Sequence, residues 1–281
     1  MKLKLACADF TFPLLSHEQS LDVIQMLGFE GVDIGLFESR SHLWPSREFR
    51  SLVKSARHLA RCAHERGLTV CDVFLQMHPE AEPYAPNHPR ATRRRKARDW
   101  FRKTLDYANC CGAEHVTFLP GVRHLDETRA TSYGRCVDEL SWYVDQARSS
   151  GIIFGVEPHV GSIVARPRQA ARLAQDVPGL TFTLDYTHFA RSGIPDAEVE
   201  PLLPFASHFH VRGSRKGRLQ ANFTDNVIDY RRILRQMKQV GYNGWLGVEY
   251  VRTEWERCNE SDNLSETILY RDFLRKVMRE I

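Results

Sequence analysis

The sequence predicts an α/β fold, a single (β/α)8 barrel occupying residues 1–281 as one domain. Three observations carry that prediction. Short apolar runs of strand character alternate with stretches of helical periodicity. Glycines at 28, 67, 112, 151, 179 and 241 stand just before strand candidates, where a helix end needs a left-handed residue. The strand candidates number eight, and no domain-scale linker separates them.

In chain order the strands fall near 3–8, 32–36, 68–75, 115–119, 152–157, 180–185, 208–212 and 245–250. Their continuous apolar character suits a parallel sheet covered on both faces. Helical stripes fill the gaps at spacings of three and four: Ala97, Trp100, Phe101, Leu105 and Ala108 in one, Tyr230, Ile233, Leu234 and Met237 in another. The basic run Arg93-Arg94-Arg95-Lys96, continued by Arg98, Arg102 and Lys103, shares a helix with the first stripe and reads as its solvated face. The stretch His78 to Pro89 holds four prolines and reads as a long loop after the third strand, able to cover a barrel mouth. An open doubly wound sheet is the alternative. Against it, no GxGxxG follows the first strand, and the polar residues gather on late strands instead of at one switch point.

Hydrophobic content of 42% and charged content of 26% are those of an ordinary globular protein. Thirty-nine basic against 35 acidic residues leave a net charge of +4, which implies no nucleic-acid partner. The opening MKLKLACADF moves straight into an alternating run without an apolar leader core, and no apolar stretch approaches the roughly 20 residues needed to span a bilayer. The expectation is a cytoplasmic protein with no membrane partner. Seven cysteines, an odd count without a CxxC pair, read as reduced and mostly buried thiols.

Three strand candidates end in a carboxylate after an otherwise apolar run: Glu157, Asp185 and Glu249. A fourth, His208-Phe209-His210, brings imidazole between the last two. An ionised carboxylate inside a barrel loses much of its hydration and needs a partner. A divalent cation is such a partner. Three carboxylates and one imidazole favour Mn, Mg or Co, with Zn possible. Counting back by twos from these residues gives Gly155 and Ile153, Thr183 and Thr181, His208, and Gly247 and Trp245, which predicts a barrel interior of small and apolar residues.

The motifs GVEPH around Glu157, LDYTH from Leu184 to His188, HFHVRG around His210 and GVEY around Glu249 resemble those of the xylose isomerase-like TIM barrels, the sugar phosphate isomerases and epimerases that include the ketose 3-epimerases. The resemblance implies Glu157, Asp185, His210 and Glu249 as ligands of one divalent ion. It also implies a carbohydrate-like substrate handled by proton transfer through an enediolate. Glu157 and Glu249 are then the catalytic acid and base, one on each face of the sugar. His188 matches a histidine that contacts substrate or a second metal in such relatives.

His159 and Arg212 share the inward parity of their ligand neighbours and are expected to bind substrate hydroxyls, carboxylate or phosphate. Arg215, Lys216 and Arg218 extend this into a basic loop, and His42 and His78 follow early strands toward the same mouth. His17, His58, His64, His88, His115 and His124 read as surface or structural. Asp9, Phe10, Asp33, Phe37 and Phe118 are the early-strand positions to which a substrate role can be pointed. A lyase or dehydratase shares the first half-reaction and stays open as an alternative. An endonuclease IV-like repair enzyme would need a more positive face, and a non-catalytic barrel would have no use for every ligand. Related barrels pair through mouth loops and outer helices, so a homo-oligomer is also among the expectations.

Overall fold

The computed structural model describes residues 3–281. Eight parallel strands close into a barrel: β1 (Lys4–Ala8), β2 (Gly31–Phe37), β3 (Thr69–Gln76), β4 (His115–Phe118), β5 (Ile153–Val156), β6 (Thr181–Asp185), β7 (Ala206–Val211) and β10 (Trp245–Val248), the last pairing with the first. Between β7 and β10 lies a two-stranded antiparallel hairpin, β8 (Gly213–Arg215) and β9 (Arg218–Ala221). The expected (β/α)8 barrel is present, with strand ends within about two residues of their predicted places.

The helices form the outer layer: α1 (His17–Met26), α2 (Pro45–Glu48), α3 (Leu52–Glu65), α4 (Ala91–Cys111), α5 (Arg129–Ser150), α6 (Pro167–Asp176), α7 (Thr187–Arg191), α8 (Asp196–Val199), α9 (Tyr230–Gln239) and α10 (Asn263–Glu280). Local chemistry sets their ends. Ser16 and Gln19 close a capping box ahead of α1, and Thr128 accepts from the Thr131 amide to start α5. Gly112 and Gly151, at φ 80° and 71°, end α4 and α5 in a conformation that a Cβ would penalise. Outward strand residues such as Val116, Phe154, Phe182 and Phe209 pack with Phe101, Tyr143, Ile233 and Leu234 in one continuous core. No helix of the described residues is long and apolar enough to cross a membrane.

The inside of the barrel corrects the expectation of a small and apolar filling. Asp72 accepts from His115 Nδ1 at 2.6 Å, Asp33 lies 3.0 Å from His208 Nε2, and Thr117 and Thr183 share a hydrogen bond of 2.6 Å. Two features make room for these groups. Gly155 and Gly247 carry no Cβ where one would meet His115 at 3.0 Å and Asp33 Oδ2 at 2.0 Å. A register shift between Phe182 and Thr183 adds Ser207 to β7, where its hydroxyl reaches His115 at 2.8 Å and Thr181 at 2.5 Å. His115 is therefore a satisfied interior histidine.

The basic run on α4 is only partly a solvated face. Arg94 Nε and Arg98 Nε donate to the two oxygens of buried Glu139 on α5 at 2.8 and 2.7 Å, and Arg98 and Arg102 lie over the Trp142 ring. The expected basic loop at 215–218 is the turn of the β8–β9 hairpin, made at Gly217 with φ 77°.

Candidate active site

Glu157 follows β5, Asp185 ends β6, His210 lies near the end of β7, and Glu249 follows β10, so all four sit at the C-terminal rim of the barrel. Strand register brings them together. Asp185 and His210 are direct partners across β6 and β7, and His210 faces Gly247, two residues before Glu249. The four side chains are buried, and each offers a ligand atom within 4.8 Å of the others.

His210 Nδ1 stands 2.9 Å from Glu157 Oε1 and 2.9 Å from Glu249 Oε2. One ring proton serves only one of them. It is donated to Glu157, which leaves Glu249 Oε2 buried with no hydrogen-bond donor. Asp185 Oδ1 accepts from the Thr187 amide and hydroxyl at 2.8 and 2.6 Å, while its Oδ2 accepts from Arg212 at 2.8 Å. Three carboxylates gather around one guanidinium and one imidazole with one oxygen left orphaned, and a divalent cation fits that oxygen-rich set.

Burial pushes the Glu157 carboxyl up to about 7, further than its hydrogen bond from His210 can pull it down. Burial acts the same way on Asp185, but Arg212, His188 and His210 outweigh it and hold that group at about 2. Burial would lower His210, yet Glu249 and Glu157 keep it well above the usual imidazole range. His188 falls to about 3 and His159 to about 4, both through burial, so both are neutral at pH 7.

Hydrogen bonds fix their tautomers. The Val160 amide donates to His188 Nδ1 at 3.2 Å, so the proton of His188 sits on Nε2, 3.5 Å from Asp185 and 3.7 Å from Glu157. His159 Nδ1 donates to the Val160 carbonyl at 2.7 Å, leaving Nε2 buried and unpartnered. The site thus offers one neutral donor and one neutral acceptor.

A cavity of about 580 Å³ opens onto these groups, lined by Glu157, Glu249, His159, His188 and Arg212. Its remaining wall includes Phe10, Phe37, Phe74, Leu119, Val251 and Trp255, with Gln76, Arg40 and Arg252 as further polar members. Pro79, Glu80 and Ala81 come from the proline-rich loop, which therefore does reach the mouth. His42 and His78 do not line it. His42 packs against His17, whose Nε2 is 3.0 Å from Asp9, and His78 packs against Tyr84. Of the early-strand positions Phe10 and Phe37 line the cavity, Asp33 pairs inside the barrel, and Phe118 packs outward against Phe101. Phe74 and Trp255 were not singled out from sequence, because an apolar residue in a strand or an aromatic in a polar loop carries no site signal of its own.

Residues 21–276 match the sequence profile of a family described as xylose isomerase-like TIM barrel. No curated protein matches the chain by sequence. Among solved structures, a D-tagatose 3-epimerase-like protein superposes with a TM-score of 0.76 at 18% identity, covering 100% of this chain and 99% of that one. D-psicose 3-epimerase from Clostridium cellulolyticum H10 gives 0.75 at 15%, covering 99% of each chain. The probable 3-DHS dehydratase from Bacillus anthracis gives 0.69 at 13%, covering 95% of this chain and 98% of that one. At such identities the likeness is one of fold.

Proposed function

Because the chain belongs to the xylose isomerase-like TIM barrel family, we propose that it is a divalent-metal-dependent isomerase or epimerase of a sugar, sugar acid or cyclitol, built as one catalytic domain over residues 1–281. The observation that carries this reading is the convergence of Glu157, Asp185, His210 and Glu249 within 4.8 Å at a cavity. These four would hold the ion, with Mn, Mg or Co best matched to an oxygen-rich set and Zn tolerated. When bound, it would supply Lewis-acid stabilisation of the negative charge that develops on the substrate's carbonyl oxygen.

The remaining work belongs to the chain's own groups. Glu157 lines the cavity with one oxygen held by His210, a placement that suits a general acid or base. Glu249 has a buried oxygen free of donors and takes the opposite role. One removes the proton beside the carbonyl and the other returns it on the opposite face, which inverts the carbon. His188 Nε2–H would donate to a substrate oxygen and His159 Nε2 would accept from a hydroxyl, while Arg212 keeps Asp185 ionised and in place. The apolar wall excludes water from the intermediate.

The test is solvent exchange in deuterated water on a panel of keto-sugars, keto-inositols and 3-keto-glycosides with added Mn, Mg or Co, read by NMR. Glu157→Gln and Glu249→Gln should each lower exchange by roughly 10²- to 10⁴-fold, with the circular dichroism spectrum unchanged. Near-normal exchange in both variants would overturn the assignment. Loss of water or of an aglycone, in place of exchange with retained mass balance, would assign elimination instead. Proton abstraction is common to both outcomes, and a dehydratase shares the fold.

A further inference from the structure

We infer that this cavity is shaped for a keto-sugar that carries an aromatic substituent, and that Phe37, Phe74 and Trp255 select for it. The inference rests on the reading of the site given above and adds its substrate class.

Aromatic surface starts at the site imidazoles and runs away from them. The Phe74 ring stacks 6.2 Å from His210, Phe37 lies 5.1 Å from Phe74, and Phe10 lies 4.7 Å from Phe37. On another side the Trp255 ring lies 6.5 Å from His188. Leu119 and Val251 add to this apolar surface, among which Gln76, Arg40 and Arg252 are the polar members. A bare sugar presents a hydroxyl on nearly every carbon, and those turned toward the rings instead of toward Gln76, Arg40 or Arg252 would go unpaired. The cavity volume of about 580 Å³ belongs to the range of sites that enclose drug-sized ligands. The site carboxylates and histidines are enough to hold the keto-sugar, and the remaining lining, rings together with Arg40, Gln76 and Arg252, leaves room for a flat group attached to it.

Trp255 supplies a second, independent observation. The residue is 46% exposed although it lines the cavity. The next two residues, Glu256 and Arg257, adopt left-handed backbone at φ 54° and 59°, a conformation disfavoured for both. Neighbouring elements hold this strained segment. Arg191 of α7 donates to both oxygens of Glu256 at 2.9 and 2.8 Å, and Gln220 of β9 donates to the Cys258 carbonyl at 2.7 Å. Backbone strain of this kind, held in place beside a half-exposed Trp255, collects where a ligand is clamped.

The experiment compares the calorimetric affinities of methyl 3-keto-glucoside and 4-nitrophenyl 3-keto-glucoside for the full chain, with and without Mn. The aryl compound should bind about tenfold more tightly, the scale of one or two aromatic contacts. Trp255→Ala and Phe37→Ala should each shrink that preference at least about threefold. The comparison in the unmodified protein stands whether or not Phe37→Ala folds. Equal affinities, or no binding of either compound, would overturn the inference. Deuterium exchange into the methyl compound is measured in parallel and reports on the enzymatic reading separately. A retained aryl preference without exchange would defeat that reading and leave the aromatic subsite standing.

Discussion

Asp185 is buried completely, and it remains charged because Thr187 donates twice to one oxygen and Arg212 to the other. Arg212 reaches it from two residues beyond His210 and lies 4.0 Å from Glu249 as well. Arg212→Met removes the guanidinium from a cluster of three carboxylates, and breaking a buried pair in this way costs about 3–5 kcal/mol. We expect a lower melting temperature for this variant in the presence of chelator, and a larger upward shift on adding Mn than the parent shows. Equal melting temperatures in chelator would show that Arg212 does not hold the cluster together. At this scale the candidate ligands were legible because a carboxylate ending an apolar run has few reasons to be there. His159, His188 and Arg212 were reached through their parity and motif neighbours. Phe74 was not, since a phenylalanine in a strand looks the same whether it faces helix or cavity. The register shift that brings Ser207 to His115 and Thr181 leaves no mark in composition or spacing.

Among the elements, α4 and α5 are joined by Glu139, which is buried between Arg94 and Arg98. The two arginines are partly exposed, so solvent screens part of the attraction. Removing the carboxylate still strands two guanidinium groups against a closed interface. Glu139→Ala should therefore destabilise the protein by about 2 kcal/mol, readable in urea unfolding as a lower midpoint with an unchanged slope. A loss below about 0.5 kcal/mol would return this basic run to the status of an ordinary surface. The sequence makes the run look solvated because helical spacing shows which residues share a face, and not which neighbour that face meets. The β8–β9 hairpin was missed for a related reason. Its residues Gly213–Arg215 and Arg218–Ala221 are too short and too basic to display strand alternation, and their stability comes from contacts outside them. Tyr250 Oη accepts from the Gly213 amide at 2.9 Å and donates to the Ala221 carbonyl at 2.8 Å. The long α/β units, by contrast, carry their own periodicity and were readable.

Over the whole molecule the barrel was legible because eight strand and helix units each repeat the same local pattern. The polar interior was not, because Asp72 pairs with His115 and Asp33 with His208, partners 43 and 175 residues apart in the chain. That arrangement has a consequence for acid stability. Burial pushes six histidines below their ordinary range: His42, His88, His115, His124, His159 and His188. In the unfolded chain each would titrate near 6.5. As pH falls through that value the unfolded chain takes up protons that the folded chain refuses, so stability is present above about 6.5 and is lost progressively below it. The Asp72 and Asp185 carboxyls, both held below their ordinary range, extend the loss to lower pH. Four groups oppose the trend, two of them the Asp196 and Glu266 carboxyls, which burial raises. Glu157, raised to about 7, and His210, raised well above its ordinary range, bind protons more tightly in the fold than out of it. Six histidines against four opposing groups set the direction: in chelator the melting temperature should fall from pH 7 to pH 5. His88→Asn and His124→Asn remove two of the six at a distance from the candidate ligands, where the rings face each other at 5.4 Å. The double variant should show a shallower fall, and a profile that is flat or rises on acidification in the parent would contradict the neutral, buried state assigned to these histidines.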